Sequence, residues 1–159
     1  MVLITDAEMG SEHGPVTVFV NNAFEKLTGY SKDEIIGQSP RMLQGPSTDK
    51  AQLKRIHEAL IKWEPVRAEI INYTKSGEEF WIEMDIVPIA DSNGWYTHWV
   101  AIERNITTRK ANELEMLRLN RALRLLSASN EVLMRVKDEH QLINEICKLA
   151  VEIGGYKMA

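Results

Sequence analysis

An α+β domain followed by a long helical extension is the fold class that this sequence predicts, and three observations carry the prediction. Strand-like segments over 66–73, 79–89 and 95–104 stand in a row, separated by the compact turns Lys75-Ser76-Gly77 and Asp91-Ser92-Asn93-Gly94. Two further β-rich runs, 1–5 and 16–20, precede them with short helical segments between. From Thr107 neither Gly nor Pro interrupts the chain until Gly154, and charged helix formers dominate. Strands gathered in one stretch and helices in another are the α+β pattern.

The elements follow in chain order. The run 16–20 is β-branched and aromatic and ends at Asn21-Asn22, after a turn-rich loop over 12–15. Residues 23–28 make a short helix that closes at Gly29. Ser31 with Glu34 three residues on is a capping box for a one-turn helix. Ser47-Thr48-Asp49 supplies the next set of N-cap residues. Leu53, Ile56 and Leu60 then recur at helical spacing, so 50–62 is an amphipathic helix closed by Trp63-Glu64-Pro65, with His57 beside its buried face. In the strand 79–89, Phe80, Ile82, Met84 and Ile86 share the core face, and Trp81, Glu83, Asp85 and Val87 the other. In the strand 95–104, Trp99, Ala101 and Glu103 lie opposite Val100 and Ile102. Apolar residues on both faces call for a second covering layer, such as a partner chain.

In the extension, Met116, Leu119, Leu123, Leu126, Asn130 and Leu133 follow heptad spacing, with Asn130 as the polar residue that sets register in a parallel dimer. The competing arrangement packs a second stripe, Leu117, Leu125 and Val132, on the helix's own domain. A further amphipathic segment starts at Asp138-Glu139, presents Leu142, Ile146, Leu149 and Ile153 on one face, and ends at Gly154-Gly155.

Composition narrows the function classes. A net charge of -4 argues against a nucleic-acid binder, whose footprint is basic. No apolar run approaches the roughly 18 residues of a membrane span, and the N-terminus lacks a signal-peptide pattern, so a cytoplasmic location is expected. The single Cys147 excludes an internal disulfide and a cysteine-rich metal site. His13, His57, His98 and His140 form no pair at metal-ligand spacing. No nucleophile elbow, phosphate loop or dinucleotide fingerprint is present, so the chain itself reads as non-enzymatic.

The stretch GQSPRMLQG, 37–45, is the most site-like in the chain: two glycines bracket a polar turn holding Arg41 and Gln44. With VFVNNAFEKLTGYSKDEIIG before it and INYTKSGEEFWIEMDIVPIADSNG and NITTRK after it, the sequence resembles a PAS sensor domain of the flavin-binding LOV type with its C-terminal PAC segment. The resemblance covers about residues 1–110. It implies a five-stranded antiparallel sheet with short helices on one face. It divides the chain into a PAS/PAC domain (1–106), a helical linker and probable coiled coil (107–136), and the start of a second domain (137–159). That last segment resembles the beginning of a GAF domain.

LOV photoreceptors carry a cysteine in the pattern GxNCRFLQG that bonds to the excited flavin. Pro40 stands at that position and Ser39 before it, so the resemblance implies no cysteine adduct. Arg41 and Gln44 match phosphate and flavin contacts, and Asn72 keeps the asparagine of the family's NY pair. His57 stands where a second phosphate-binding arginine is expected, Ile82 replaces the asparagine of FWN, and Glu103 replaces a glutamine at the flavin edge. An ionised Glu103 only accepts hydrogen bonds, so it serves there only if protonated, or paired with Arg41 or His57. His57 is also a candidate for haem or phosphate, against the plainer reading of a partly buried helix histidine.

The resemblance therefore implies a sensory and dimerisation module of a bacterial signalling protein, relaying the state of its pocket to the helix that starts at Thr107. The parent would be a diguanylate cyclase, phosphodiesterase or histidine kinase. Two alternatives stand beside it. One is an FAD or FMN redox or light sensor working without the adduct. The other is a ligand-free dimerisation scaffold whose pocket is filled by Phe80, Ile82 and Met84. Asn105, where the family has the aspartate of DIT, and Thr107 as N-cap form the expected junction between sheet and helix.

Overall fold

The computed structural model describes residues 1–7 and 14–155, which fall into two compact units, Met1–Thr108 and Arg109–Ala159. The loop expected over 12–15 and His13 lie partly or wholly outside the described residues. In the first unit five strands form one sheet in the order β2-β1-β5-β4-β3, every neighbouring pair antiparallel. The strands are β1 (Val2–Asp6), β2 (Thr17–Val20), β3 (Val66–Tyr73), β4 (Glu79–Ala90) and β5 (Tyr96–Asn105). The expected class, strand count and order of elements all hold.

Boundaries moved by about one residue, with local causes. Trp95 belongs to the turn because its N–H donates to Asp91 Oδ1, so β5 begins at Tyr96. β4 reaches Ala90 through an irregularity in its pairing with β5 between Ile89 and Ala90. Face assignments follow the period of two: Phe80, Ile82 and Met84 are buried, as are Trp99, Ala101 and Glu103. On the outer face Val87, Ile89 and Ile102 are exposed, which leaves an apolar surface there.

The helices are α1 (Asn22–Thr28), α2 (Lys32–Ile35) and α3 (Lys50–Ile61), with a 3₁₀ turn over Pro40–Leu43. All three helices begin at a cap. Asn21 Oδ1 accepts from Phe24 N, Ser31 N–H donates to Glu34 Oε2, and Asp49 Oδ1 accepts from Ala51 N. α1, α2 and the 3₁₀ turn contribute Phe24, Ile35 and Leu43 to one apolar cluster with Leu3, Val20 and Ala101. α3 contributes Ile56 to a second cluster with Ile70, Phe80, Ile82 and Met84 of β3 and β4.

α3 ends in a tight Schellman-type turn, with Glu64 N–H donating to Ala59 O and Trp63 N–H to Leu60 O. Glycine normally fills its left-handed position, but here Trp63 does, at φ 57°. The Trp63 ring stacks on Tyr96 (4.9 Å between centroids) and on Trp99 (5.0 Å), and these contacts offset the backbone strain.

The second unit consists of most of α4 (Thr107–Arg135) and of α5 (Glu139–Glu152), the latter capped by Asp138 on Gln141 N. Arg135 and Glu145 approach to 3.8 Å. Within the heptad seam Met116, Leu119, Leu123, Leu126 and Leu133 are all more than half exposed. Of the competing stripe only Val132 is buried, while Leu117 is exposed and Leu125 half-buried.

Candidate functional site

The 37–45 stretch is fixed at both ends. Gly37 N–H donates to Thr17 O and Gln38 O accepts from Thr17 N, which ties the start of the loop to the edge strand β2. At the other end Gly45 lies against the Tyr73 ring so closely that a Cβ would come within 2.3 Å of it. Thr48 Oγ1 accepts from Gly45 N and donates to Ile71 O, pinning the exit to β3. The Tyr73 hydroxyl accepts from Ser47 N and donates to Glu79. Between these anchors Ser39 Oγ accepts from Arg41 N, and Pro40 opens the 3₁₀ turn where its missing N–H costs nothing.

Loop, α3 and the inner face of the sheet enclose a cavity of about 510 Å³. That lies within the range of small-molecule sites, roughly 300–1,000 Å³. Its walls are largely apolar, with Leu43 from the loop, Ile56 from α3, Ile70 and Met84 from the sheet and Ala101 from β5. Phe80 and Ile82 are packed beneath the wall and do not fill it. A collapsed pocket, the basis of the scaffold alternative, is not what these side chains make.

All five sequence-predicted residues line this one cavity. They divide into two sets. Asn72 and Glu103 are buried, 4 % and 7 % exposed, on β3 and β5. Among the described residues Asn72 Oδ1 and Glu103 Oε2 have no hydrogen-bond partner, and neither does Nε1 of the cavity-lining Trp99. Buried polar atoms are rarely left so, because each unmade bond costs about 1–3 kcal/mol. The second set lies toward solvent: Arg41 and His57 are exposed and Gln44 is half-buried. Lys54 adds another cation to that rim. The Arg41 guanidinium packs against Gly14, where a Cβ would stand 3.0 Å from it.

Two expectations need correction. His57 is not a partly buried helix histidine, because its position on α3 turns it outward to the rim. Thr107 does not cap α4. Its hydroxyl accepts from Trp81 N, and Asn105 Oδ1 takes the helix-start N–H of Thr107 instead. Ile106 N–H donates to Trp81 O, so the first turn of α4 is stitched to β4 just beyond Glu103 and Asn105.

Burial pushes the Glu103 carboxyl up to about 7, opposed in part by the Met1 amine. Near neutrality it therefore keeps a proton in a large fraction of molecules and is able to donate a hydrogen bond. The expected pairing with Arg41 or His57 does not occur. Trp99, Lys54 and the Gly45–Thr48–Tyr73 anchor were not singled out from sequence. For Trp99 the signal existed, since it shares the strand parity of Ala101 and Glu103.

These donors and acceptors fit the ring edge of a flavin. Asn72 Oδ1 is free to accept from an imide N–H, and a protonated Glu103 and the Trp99 N–H are free to donate to carbonyl or ring-nitrogen acceptors. Pro40 offers no nucleophile, and Cys147, the single cysteine, lies on α5 of the second unit. No group of three or more His, Cys, Asp or Glu able to hold a metal occurs among the described residues. Among them no helix is long and apolar enough to cross a membrane.

Comparison with known proteins agrees with the fold. The PAS domain family model matches residues 3–108. Blue-light-activated histidine kinases of Brucella canis and Brucella anthropi are 36 % and 38 % identical over 132 residues, 83 % of this chain and 26 % of theirs. The chain thus spans about a quarter of the length of those relatives. Among solved structures, the LOV domain of the Erythrobacter litoralis EL346 blue-light activated histidine kinase superposes with TM-score 0.60 at 31 % identity, covering 67 % of this chain and 94 % of that one. The light-state structure of the blue-light photoreceptor Aureochrome1 LOV gives 0.63 at 31 %, covering 71 % and 86 %. The chain belongs to the PAS domain family, and its first unit is a sensory domain with LOV domains among its structural relatives.

Proposed function

We propose that the first unit holds a flavin nucleotide non-covalently and reports the state of that flavin to α4. The unpartnered Asn72 Oδ1 and Glu103 Oε2 in an apolar cavity of about 510 Å³ carry this reading. Asn72, Glu103 and Trp99 would hold the ring edge, and Arg41, Lys54 and His57 at the rim would face the phosphate. The flavin, when bound, supplies light absorption and redox change. The chain's own part is to exclude water, orient the ring and hold a proton on Glu103. A hydrogen bond gained or lost at Glu103 displaces β5, and the route to α4 is short: Asn105 caps the helix and Thr107 anchors it to β4.

The same reading makes the chain a piece of a bacterial signalling protein, in the cytoplasm, whose output is a histidine kinase as in the Brucella relatives. The exposed seam through Leu119, Leu123 and Leu126 and the apolar outer sheet face support a homodimer. α4 then serves as the linker, and the segment from Asp138 as the beginning of a further, GAF-like domain. Absorption of the purified protein, before and after incubation with FMN and with FAD, tests the flavin. The paired near-ultraviolet and blue bands of a bound oxidised flavin are expected, and their absence under both conditions contradicts the proposal. Light scattering tests the dimer, which a monomer at high concentration would contradict.

A further inference from the structure

We infer that the cavity takes up its ligand together with a proton, and that Glu103 is the group that holds this proton. The inference rests on the flavin reading above and adds a condition to it: the site is closed to the ligand while Glu103 is ionised.

Glu103 is 7 % exposed, lines the cavity, and its Oε2 has no partner among the described residues. Just before β1, the Met1 amine donates to the Glu103 main-chain carbonyl and opposes the upward shift. On β4 the residue opposite is the apolar Met84, while Glu83 and Asp85 fall on the other face by parity. β3 offers the neutral Asn72, and α1 brings only Ala23 and Leu27 near. On β5 itself Arg104 projects to the opposite face by parity, and with Glu83 and Asp85 it lines a second cavity that Glu103 also borders. The remaining cations on the cavity, Arg41, Lys54 and His57, are exposed on its rim.

Desolvation is thus what dominates the carboxyl, and it favours the neutral acid. A ligand that fills the cavity removes whatever water reaches Oε2, which raises the cost of charge further. The two forms also differ in what they offer. The acid donates to a carbonyl or ring nitrogen of the ligand, whereas the carboxylate sets an acceptor against an acceptor. Binding therefore selects the acid form, and above the carboxyl's titration each complex formed removes one proton from solution.

Riboflavin tests this, because it carries no phosphate whose own titration would enter. Its fluorescence is followed on titration with the whole chain from about pH 6 to about pH 9, where the fraction of acid form falls about 100-fold and the apparent Kd rises by the same factor. In Glu103→Gln the profile becomes flat, and in His57→Gln the slope remains. Tight riboflavin binding with a flat wild-type profile overturns the inference and leaves the flavin reading standing. A slope that survives in Glu103→Gln, or vanishes only in His57→Gln, also overturns it. No binding at any pH overturns the inference together with the flavin reading on which it rests.

Discussion

Glu83 and Glu103 stand on neighbouring strands at the same exposure, 7 %, yet the two faces of the sheet treat them in opposite ways. On the outer face Glu83 Oε1 takes a 2.7 Å bond from Arg67 Nη2, with Arg104 at 3.9 Å from its other oxygen. Arg67 answers by holding its own proton more tightly, chiefly through that bond. On the inner face Glu103 meets Met84, Ala101 and an open cavity, where burial outweighs the Met1 amine and favours the neutral acid. A buried carboxylate with a cation is a structural part. One without a partner, facing a cavity, is a vacant hydrogen-bonding site.

The comparison breaks most visibly at Glu103. Its carboxyl is shifted from an ordinary 4.5 to about 7, so the folded protein holds a proton that the unfolded chain releases between those values. The stabilisation is full below about pH 4.5 and is lost as pH rises to about 7, a fall of about 3 kcal/mol relative to Glu103→Gln. Denaturant unfolding of both proteins across that range measures it. The difference is the quantity to read, because Glu34, held down to about 2 chiefly by its Lys75 bond, and Glu79 and Asp91 change stability at lower pH in both proteins.

Arg67→Met takes from Glu83 its nearest cation and leaves Arg104 at 3.9 Å. Loss of the charged bond is expected to lower the denaturant midpoint, by less than for a fully buried pair because Arg67 is mostly exposed. Asn72→Leu acts on the inner face with the reverse sign. Removing an unsatisfied amide should stabilise the ligand-free chain by about 1 kcal/mol in the same unfolding assay while abolishing riboflavin binding. The smallest effect is expected where the sheet hands over to α4. Asn105→Ala removes the cap on Thr107 N and should cost about 1 kcal/mol or less, seen as faster amide exchange in the first turn of α4, with the cavity unchanged.

Strand parity and the caps of the first three helices are local properties, and they were legible. The inner face of β4, the capping box at Ser31 and the position of every strand followed from them. The resemblance brought Arg41, Gln44, His57, Asn72 and Glu103 together, and the structure places all five on one cavity. What local pattern could not supply was the state of each group once packed. Whether Glu103 has a cation in reach depends on side chains from five elements, and the answer came from the structure. The outward turn of His57, the Thr107 hydroxyl spent on Trp81, and Trp63 held at positive φ by two aromatic rings are likewise decided by contacts distant in sequence.

Carboxyl-carbon NMR of glutamate-labelled protein, titrated with pH beside Glu103→Gln, tests the central claim most directly. One glutamate signal should titrate near 7 in the wild type and be missing from the variant. If every glutamate signal completes its titration within the ordinary carboxylate range, Glu103 is charged at neutral pH and the cavity lacks the donor that this account assigns to it.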